Sequence, residues 1–125
     1  MRLLLDTHVF LWSVTGSWRL TRAVRTQIKD AEATFVSAAS IWEIAIKSRL
    51  GKIDGDPAAL AAAIGASGFR ELPVSALHAA TVATLPLHHH DPFDRLLLAQ
   101  AFSEPLRLLT ADAALLAYGG SVELI

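Results

Sequence analysis

The sequence predicts an α/β fold in which helices cover both faces of a parallel sheet. Two observations carry this. Short apolar or β-branched runs of about three to five residues alternate with longer helical segments. Between those runs there is no two-residue hairpin signal of the Asn-Gly or Asp-Gly kind, so successive strands must be joined by helical crossovers. No internal repeat, linker or low-complexity segment interrupts the pattern, and one domain spanning residues 1–125 is expected.

Arg2–Leu5 is an apolar run ending at Asp6 and reads as a buried first strand. His8–Val14 has helical spacing and stops at Gly16. Thr21 caps a second helix reaching about Asp30, with Ala23, Val24 and Ile28 on one face. Thr34-Phe35-Val36 is the second strand. Ser37 or Ser40 then starts a helix over Ala38–Leu50, closed by Gly51. Asp56-Pro57 opens an alanine-rich helix through Ile64, ended by Gly65 and Gly68. Phe69–Leu72 is the third strand, and Ser75 caps a helix over Ala76–Ala83. Leu85–His90 is a Pro-containing loop. Asp91 caps the next helix, with Pro92 in its first turn, where the missing N–H costs nothing, and Asp94 at its lip. Arg107–Leu109 is the fourth strand, Ala111–Leu116 a short helix and Val122–Leu124 the last strand.

Composition narrows the classes. A hydrophobic fraction of 53% and a mean hydropathy of +0.42 imply nearly apolar interior elements and an apolar surface for a partner. No apolar run approaches the roughly 18 residues that cross a bilayer, and Met1-Arg2 leads straight into Leu3-Leu4-Leu5-Asp6 without a signal-peptide core. Zero cysteines remove disulfide and thiolate chemistry and fit a cytoplasmic protein. With a net charge of −1, nucleic acid would have to be held by a local patch.

The acids carry the chemistry. In an open parallel sheet, ligands bind at the carboxyl ends of the strands. Asp6 follows strand one, Glu43 lies in the second turn of the helix after strand two, Asp94 opens the helix before strand four, and Asp112 follows strand four. Each alone has an ordinary reading. Asp6, Asp91 and Asp112 suit helix caps, and Glu43 with Lys47 makes an i,i+4 pair of the solvated kind worth about 0.3–0.5 kcal/mol. Yet Glu43 stands among Ile41, Trp42, Ile44, Ala45 and Ile46, an apolar setting for a surface acid. Four carboxylates on one sheet edge repel one another unless a cation joins them. Oxygen donors select Mg²⁺ or Mn²⁺, whose activated water suits displacement at phosphorus.

Leu4-Leu5-Asp6-Thr7-His8, Ser37 to Lys47, Gly51-Lys52, His90-Asp91-Pro92-Phe93-Asp94-Arg95 and Leu109-Thr110-Ala111-Asp112 occur in that order. Over nearly the whole chain this set resembles the PIN-domain ribonuclease toxins of the VapC type. The resemblance implies a PIN-like three-layer α/β/α sandwich with a central parallel sheet of order 3-2-1-4-5. It implies a Mg²⁺- or Mn²⁺-dependent endoribonuclease, the toxin of a toxin–antitoxin pair, with Asp6, Glu43, Asp94 and Asp112 as the catalytic, metal-holding acids. Asp91 matches a recurrent further acid, secondary to those four. Thr7, Thr110 and Ser40 match positions bordering the site. The partners it implies are an RNA substrate and a small cognate antitoxin, and the apolar Phe10, Leu11 and Trp12 fit an antitoxin groove or a homodimer face; their ordinary use is to cover the sheet. Where many relatives carry His-Arg before Asp-Pro, this chain has His89-His90.

Positive charge for RNA is expected from Arg95, Lys47 and Lys52, with Arg95 alternatively bracing the acids, while Arg19 and Arg49 read as solvated. Adjacent histidines in a loop rarely share one ion, so one of His88-His89-His90 is expected to pack or hydrogen-bond at the site mouth and the others to be solvated. His8 reads as a supporting residue. Trp12, Trp18 and Trp42 are expected in core or interface packing rather than on RNA bases. A phosphatase built on Asp6 would want a second Asp where His8 stands, and a receiver domain an acidic pair and a late lysine that are not visible. The remaining alternative is a PIN-like module that binds RNA or protein without cleaving.

Overall fold

The computed structural model describes residues 1–125. Its sheet has five parallel strands in the order β3-β2-β1-β4-β5: β1 Arg2–Leu5, β2 Ala33–Ser37, β3 Arg70–Leu72, β4 Arg107–Thr110 and β5 Val122–Leu124. The expected order and sandwich hold. β1 is central and pairs on both sides, Leu4 lying between Phe35 and Leu108 in register. Buried on both faces, it has no polar side and reads as an unbroken leucine run.

Alternation along β1 divides the core. Leu3 and Leu5 join Val9, Phe10, Ile28, Ile44 and Ile64 on one face, beneath α1 (Thr7–Thr15), α2 (Arg22–Asp30), α3 (Ala38–Arg49) and α4 (Pro57–Ala66). Leu4 joins Leu97, Leu98, Leu108, Leu115 and Val122 on the other, beneath α5 (Ala76–Thr81) and α6 (Pro92–Ser103). Truncating Leu4 to alanine in such a core costs about 2–5 kcal/mol.

Helices that start at the carboxyl edge begin with a side-chain cap. Asp6 accepts from the Val9 N–H to start α1, Ser37 from Ala39 to start α3, and Asp91 from Phe93 and Asp94 to start α6. Ser37, not Ser40, is therefore the α3 cap, which releases Ser40 for another use. Gly16, at φ 68°, adopts the left-handed conformation and returns its N–H to Trp12 to close α1.

Three boundaries differ from expectation. α4 runs through Gly65 to Ala66, because the Ser67 N–H still finds the Ala63 carbonyl. The helix expected over Ala76–Ala83 tightens to a 3₁₀ turn at Val82–Thr84, and the segment after β4 is 3₁₀ over Ala113–Tyr118, begun by Asp112. Phe10 is fully buried under the sheet, so its ordinary use prevails. Of the tryptophans expected in core or interface packing, Trp12 packs against the core, while Trp18 and Trp42, 84% and 60% exposed, do not. No helix is long and apolar enough to cross a membrane.

Candidate active site

Strand direction puts the acids together. β1, β2 and β4 all end at one edge, and α6, which precedes β4, begins there. Asp6 and Glu43 form the floor, 6% and 3% exposed. Asp6 Oδ1 accepts from the Val9 N–H at 2.9 Å and Oδ2 from the Thr110 hydroxyl at 2.5 Å. Glu43 Oε1 accepts from the Thr7 hydroxyl at 2.6 Å. Thr7 Oγ1 also lies 3.0 Å from Ser40 Oγ; since its one proton goes to Glu43, Ser40 must donate into it. Each buried acid is thus held by a threonine, and Ser40 braces one of them. Thr110 in turn accepts the Asp112 N–H at 3.0 Å, coupling Asp6 to the loop bearing Asp112.

The second oxygen of Glu43 accepts from Lys47 Nζ, one helical turn on. Because Glu43 is buried, this is not the solvated pair its spacing suggests. Burial disfavours the Lys47 charge, but the hydrogen bond and charge of Glu43, with the charges of Asp91 and Asp94, outweigh it and lift the ammonium above 10.5.

Asp94 and Asp112 form the rim. Burial raises the Asp94 carboxyl from 3.8 to about 6; Asp91, Asp6 and Glu43 push the same way, and only the His89 hydrogen bond opposes them. Burial likewise raises Asp6, Glu43 adding to it against the hydrogen bonds from Thr110 and Val9 and the nearby His8. Asp112 is more open, its side chain 44% exposed. Asp91 spends Oδ1 on the Phe93 and Asp94 N–H groups and acts as a cap beside the cluster.

Arg95 is the clear departure from expectation. Its guanidinium donates to the carbonyls of Val82, Leu85, Pro86 and His89 and to the Tyr118 hydroxyl. It neither pairs with an acid nor points free toward RNA; it ties down the 82–90 loop. Lys52 is exposed in the turn after α3, and its side chain contacts no acid. Of the three histidines, His88 stacks edge-on to Tyr118, His90 is exposed, and His89 Nε2 lies 3.0 Å from Asp94 Oδ2 and 3.7 Å from Asp112 Oδ2. That one histidine bonds at the mouth follows the expectation; which one was not readable.

The donor chemistry suits a hard divalent cation. Asp6 and Glu43 each accept one hydrogen bond per oxygen, which leaves half of a carboxylate's acceptor capacity. Burial is the main cause of the raised Asp94 and Asp6 carboxyls, and the smaller part that comes from neighbouring carboxylates is repulsion that a cation would relieve. A cavity of about 430 Å³ lies elsewhere, at the amino edge beside Arg25, Lys29, Glu32 and Arg70, and takes no part.

The family pattern of the PIN domain matches residues 3–120. The chain belongs to the PIN domain family. No curated protein sequence is similar enough to count as a match. Among solved structures, this PIN domain resembles a toxin-antitoxin complex from Klebsiella pneumoniae at 17% identity and TM-score 0.66, covering 97% of this chain and 95% of that one. It also resembles VapBC2 from Rickettsia felis bound to a promoter DNA fragment, at 13% identity and TM-score 0.70, covering 100% and 98%. FitAcB from Neisseria gonorrhoeae matches at 19% identity and TM-score 0.67, covering 98% and 96%. At these identities the likeness concerns the fold.

Proposed function

We propose that this PIN domain, one domain over residues 1–125, is a Mg²⁺- or Mn²⁺-dependent endoribonuclease acting in the cytoplasm as the toxin of a toxin–antitoxin pair. The observation that carries the reading is the meeting of Asp6, Glu43, Asp94 and Asp112, from four separate segments, at one sheet edge. A bound cation would supply Lewis-acid activation of a water and would offset charge at the scissile phosphate. Asp6, Glu43, Asp94 and Asp112 would hold it. Thr7 and Thr110, with Ser40 behind Thr7, keep the two buried carboxylates oriented, so the cation meets a floor already in place. Lys47 fixes Glu43 and offers local positive charge for the RNA backbone, with Lys52 further out.

An antitoxin and a second copy of the chain are the proposed protein partners. The likeness to a toxin-antitoxin complex supports the first. Trp42, Ile46 and Leu50, exposed at intervals of four along α3, offer an apolar stripe for either. The non-cleaving alternative draws on Lys47, whose ammonium already stands beside Glu43, Asp91 and Asp94.

The test is cleavage of structured RNA by purified protein. Cleavage with Mg²⁺ or Mn²⁺, stopped by EDTA and abolished in Asp6→Asn and Asp94→Asn, is the expected result. Cleavage retained in both variants would sink the site assignment, and no cleavage despite tight Mn²⁺ binding would favour the binding module.

A further inference from the structure

One nitrogen donor stands among the oxygens of the rim. His89 Nε2, Asp94 and Asp112 each offer a ligand atom, all within 4.8 Å of one another. Donors around one first-row ion, bonded at about 2.0–2.2 Å, sit roughly 3–4 Å apart. The 3.0 and 3.7 Å separations from His89 to the two carboxylates fall in that range. The three residues come from different segments: the 82–90 loop, the first turn of α6 and the turn after β4.

The loop is built to hold the imidazole there. The His89 N–H donates to the Tyr118 hydroxyl at 3.0 Å, and that hydroxyl donates to the Pro86 carbonyl. Arg95 reaches the His89 carbonyl and three more along the same loop. These bonds fix the main chain at His89, so ligation has only the imidazole's own two torsions left to order. Nε2 lies at hydrogen-bond distance from Asp94, and ligation needs its lone pair, so that hydrogen bond gives way to the metal. The proton then resides on Nδ1, which has no protein partner.

Resting on the metal-site reading above, we propose that His89 is a ligand of the cation together with Asp94 and Asp112. The site is then one nitrogen softer than an all-carboxylate site. Imidazole suits Mn²⁺ and the later first-row ions and does little for Mg²⁺. His89 therefore sets metal preference.

The experiment is pulsed electron paramagnetic resonance of the Mn²⁺-loaded full chain, with calorimetric titration of Mn²⁺ and Mg²⁺ alongside. A directly bound ¹⁴N coupling is expected in the native protein and in the control His90→Gln, and its loss in His89→Gln. His89→Gln should weaken Mn²⁺ about tenfold or more, as loss of a metal-site partner does, and Mg²⁺ far less. Mn²⁺ bound without nitrogen coupling, or coupling retained in His89→Gln, overturns the proposal and leaves the acidic site standing. Failure of the native chain to bind Mn²⁺ overturns both. The native spectrum decides the matter even if His89→Gln folds poorly.

Discussion

Replacing Asp94 by asparagine should make the metal-free protein more stable at neutral pH while destroying its proposed activity. The carboxyl is raised from 3.8 to about 6, chiefly by burial and then by Asp91. An acid with a raised folded-state value contributes its full stability below the unfolded value, where both states are protonated. That stability is lost as pH rises through the folded value. The interval from 3.8 to about 6, at about 1.4 kcal/mol per pH unit, amounts to about 3 kcal/mol, of which about 2 kcal/mol falls between pH 4.5 and 7.5. The side chain is 22% exposed, so solvent screening removes only part of this. Asparagine mimics the neutral acid and carries no such cost. Urea denaturation of both proteins in EDTA, at several pH values, reads the term as the difference between them. The stability gap, variant minus native, should widen by about 2 kcal/mol over that range. A gap constant to within about 0.5 kcal/mol, the scatter of uninvolved surface changes, would refute the electrostatic account of the rim.

Two further outcomes follow from the same geometry. Arg95→Met removes donors that satisfy four carbonyls and the Tyr118 hydroxyl, so it should destabilise by about 2–4 kcal/mol in urea melts; unchanged stability with weakened RNA binding would restore Arg95 to the RNA surface. Thr110→Val takes from Asp6 a hydrogen bond that favours its charged form, so calorimetry should find Mn²⁺ bound about tenfold or more weakly, with the deficit shrinking as pH rises; equal affinity at every pH would deny Thr110 its orienting role.

The architecture was legible because a parallel sheet buried on both faces leaves unmistakable marks. Leu3-Leu4-Leu5 and Leu108-Leu109 are apolar without alternation, and Asp6, Ser37 and Asp91 sit at the caps of helices that start at the carboxyl edge. A residue next to a strand end or a cap has its place fixed by local chain geometry, which is why the meeting of the four acids could be foreseen. Arg95 and His89 were not legible. Their directions depend on the 82–90 loop and on Tyr118, 29 residues beyond His89, and no local rule encodes that meeting. Size alone did not separate Trp12, which packs against the core, from Trp18 and Trp42, which stay open, because size predicts burial only on average. Trp42 finds Phe93 at 5.1 Å yet stays open, as a residue between core and interface would.

Electrostatics also weighs on the choice between cleaving and merely binding. A phosphodiester approaching this edge meets Asp6, Glu43, Asp91, Asp94 and Asp112. Against them the structure sets the Lys47 ammonium, already committed to Glu43, while the guanidinium nearest in sequence, Arg95, is turned into its loop. A surface meant only to hold RNA would gain by losing these acids, since affinity for the backbone comes from net positive charge. Capping explains only part of the set: Asp6, Asp91 and Asp112 start helices, but Asp94 costs stability at neutral pH, and Thr7, Ser40 and Thr110 are buried to hold Asp6 and Glu43 in place. An arrangement costly to folding and repulsive to polyanions becomes intelligible once a divalent cation offsets part of its charge, since the bound cation would give the phosphate a positive centre to approach among the acids.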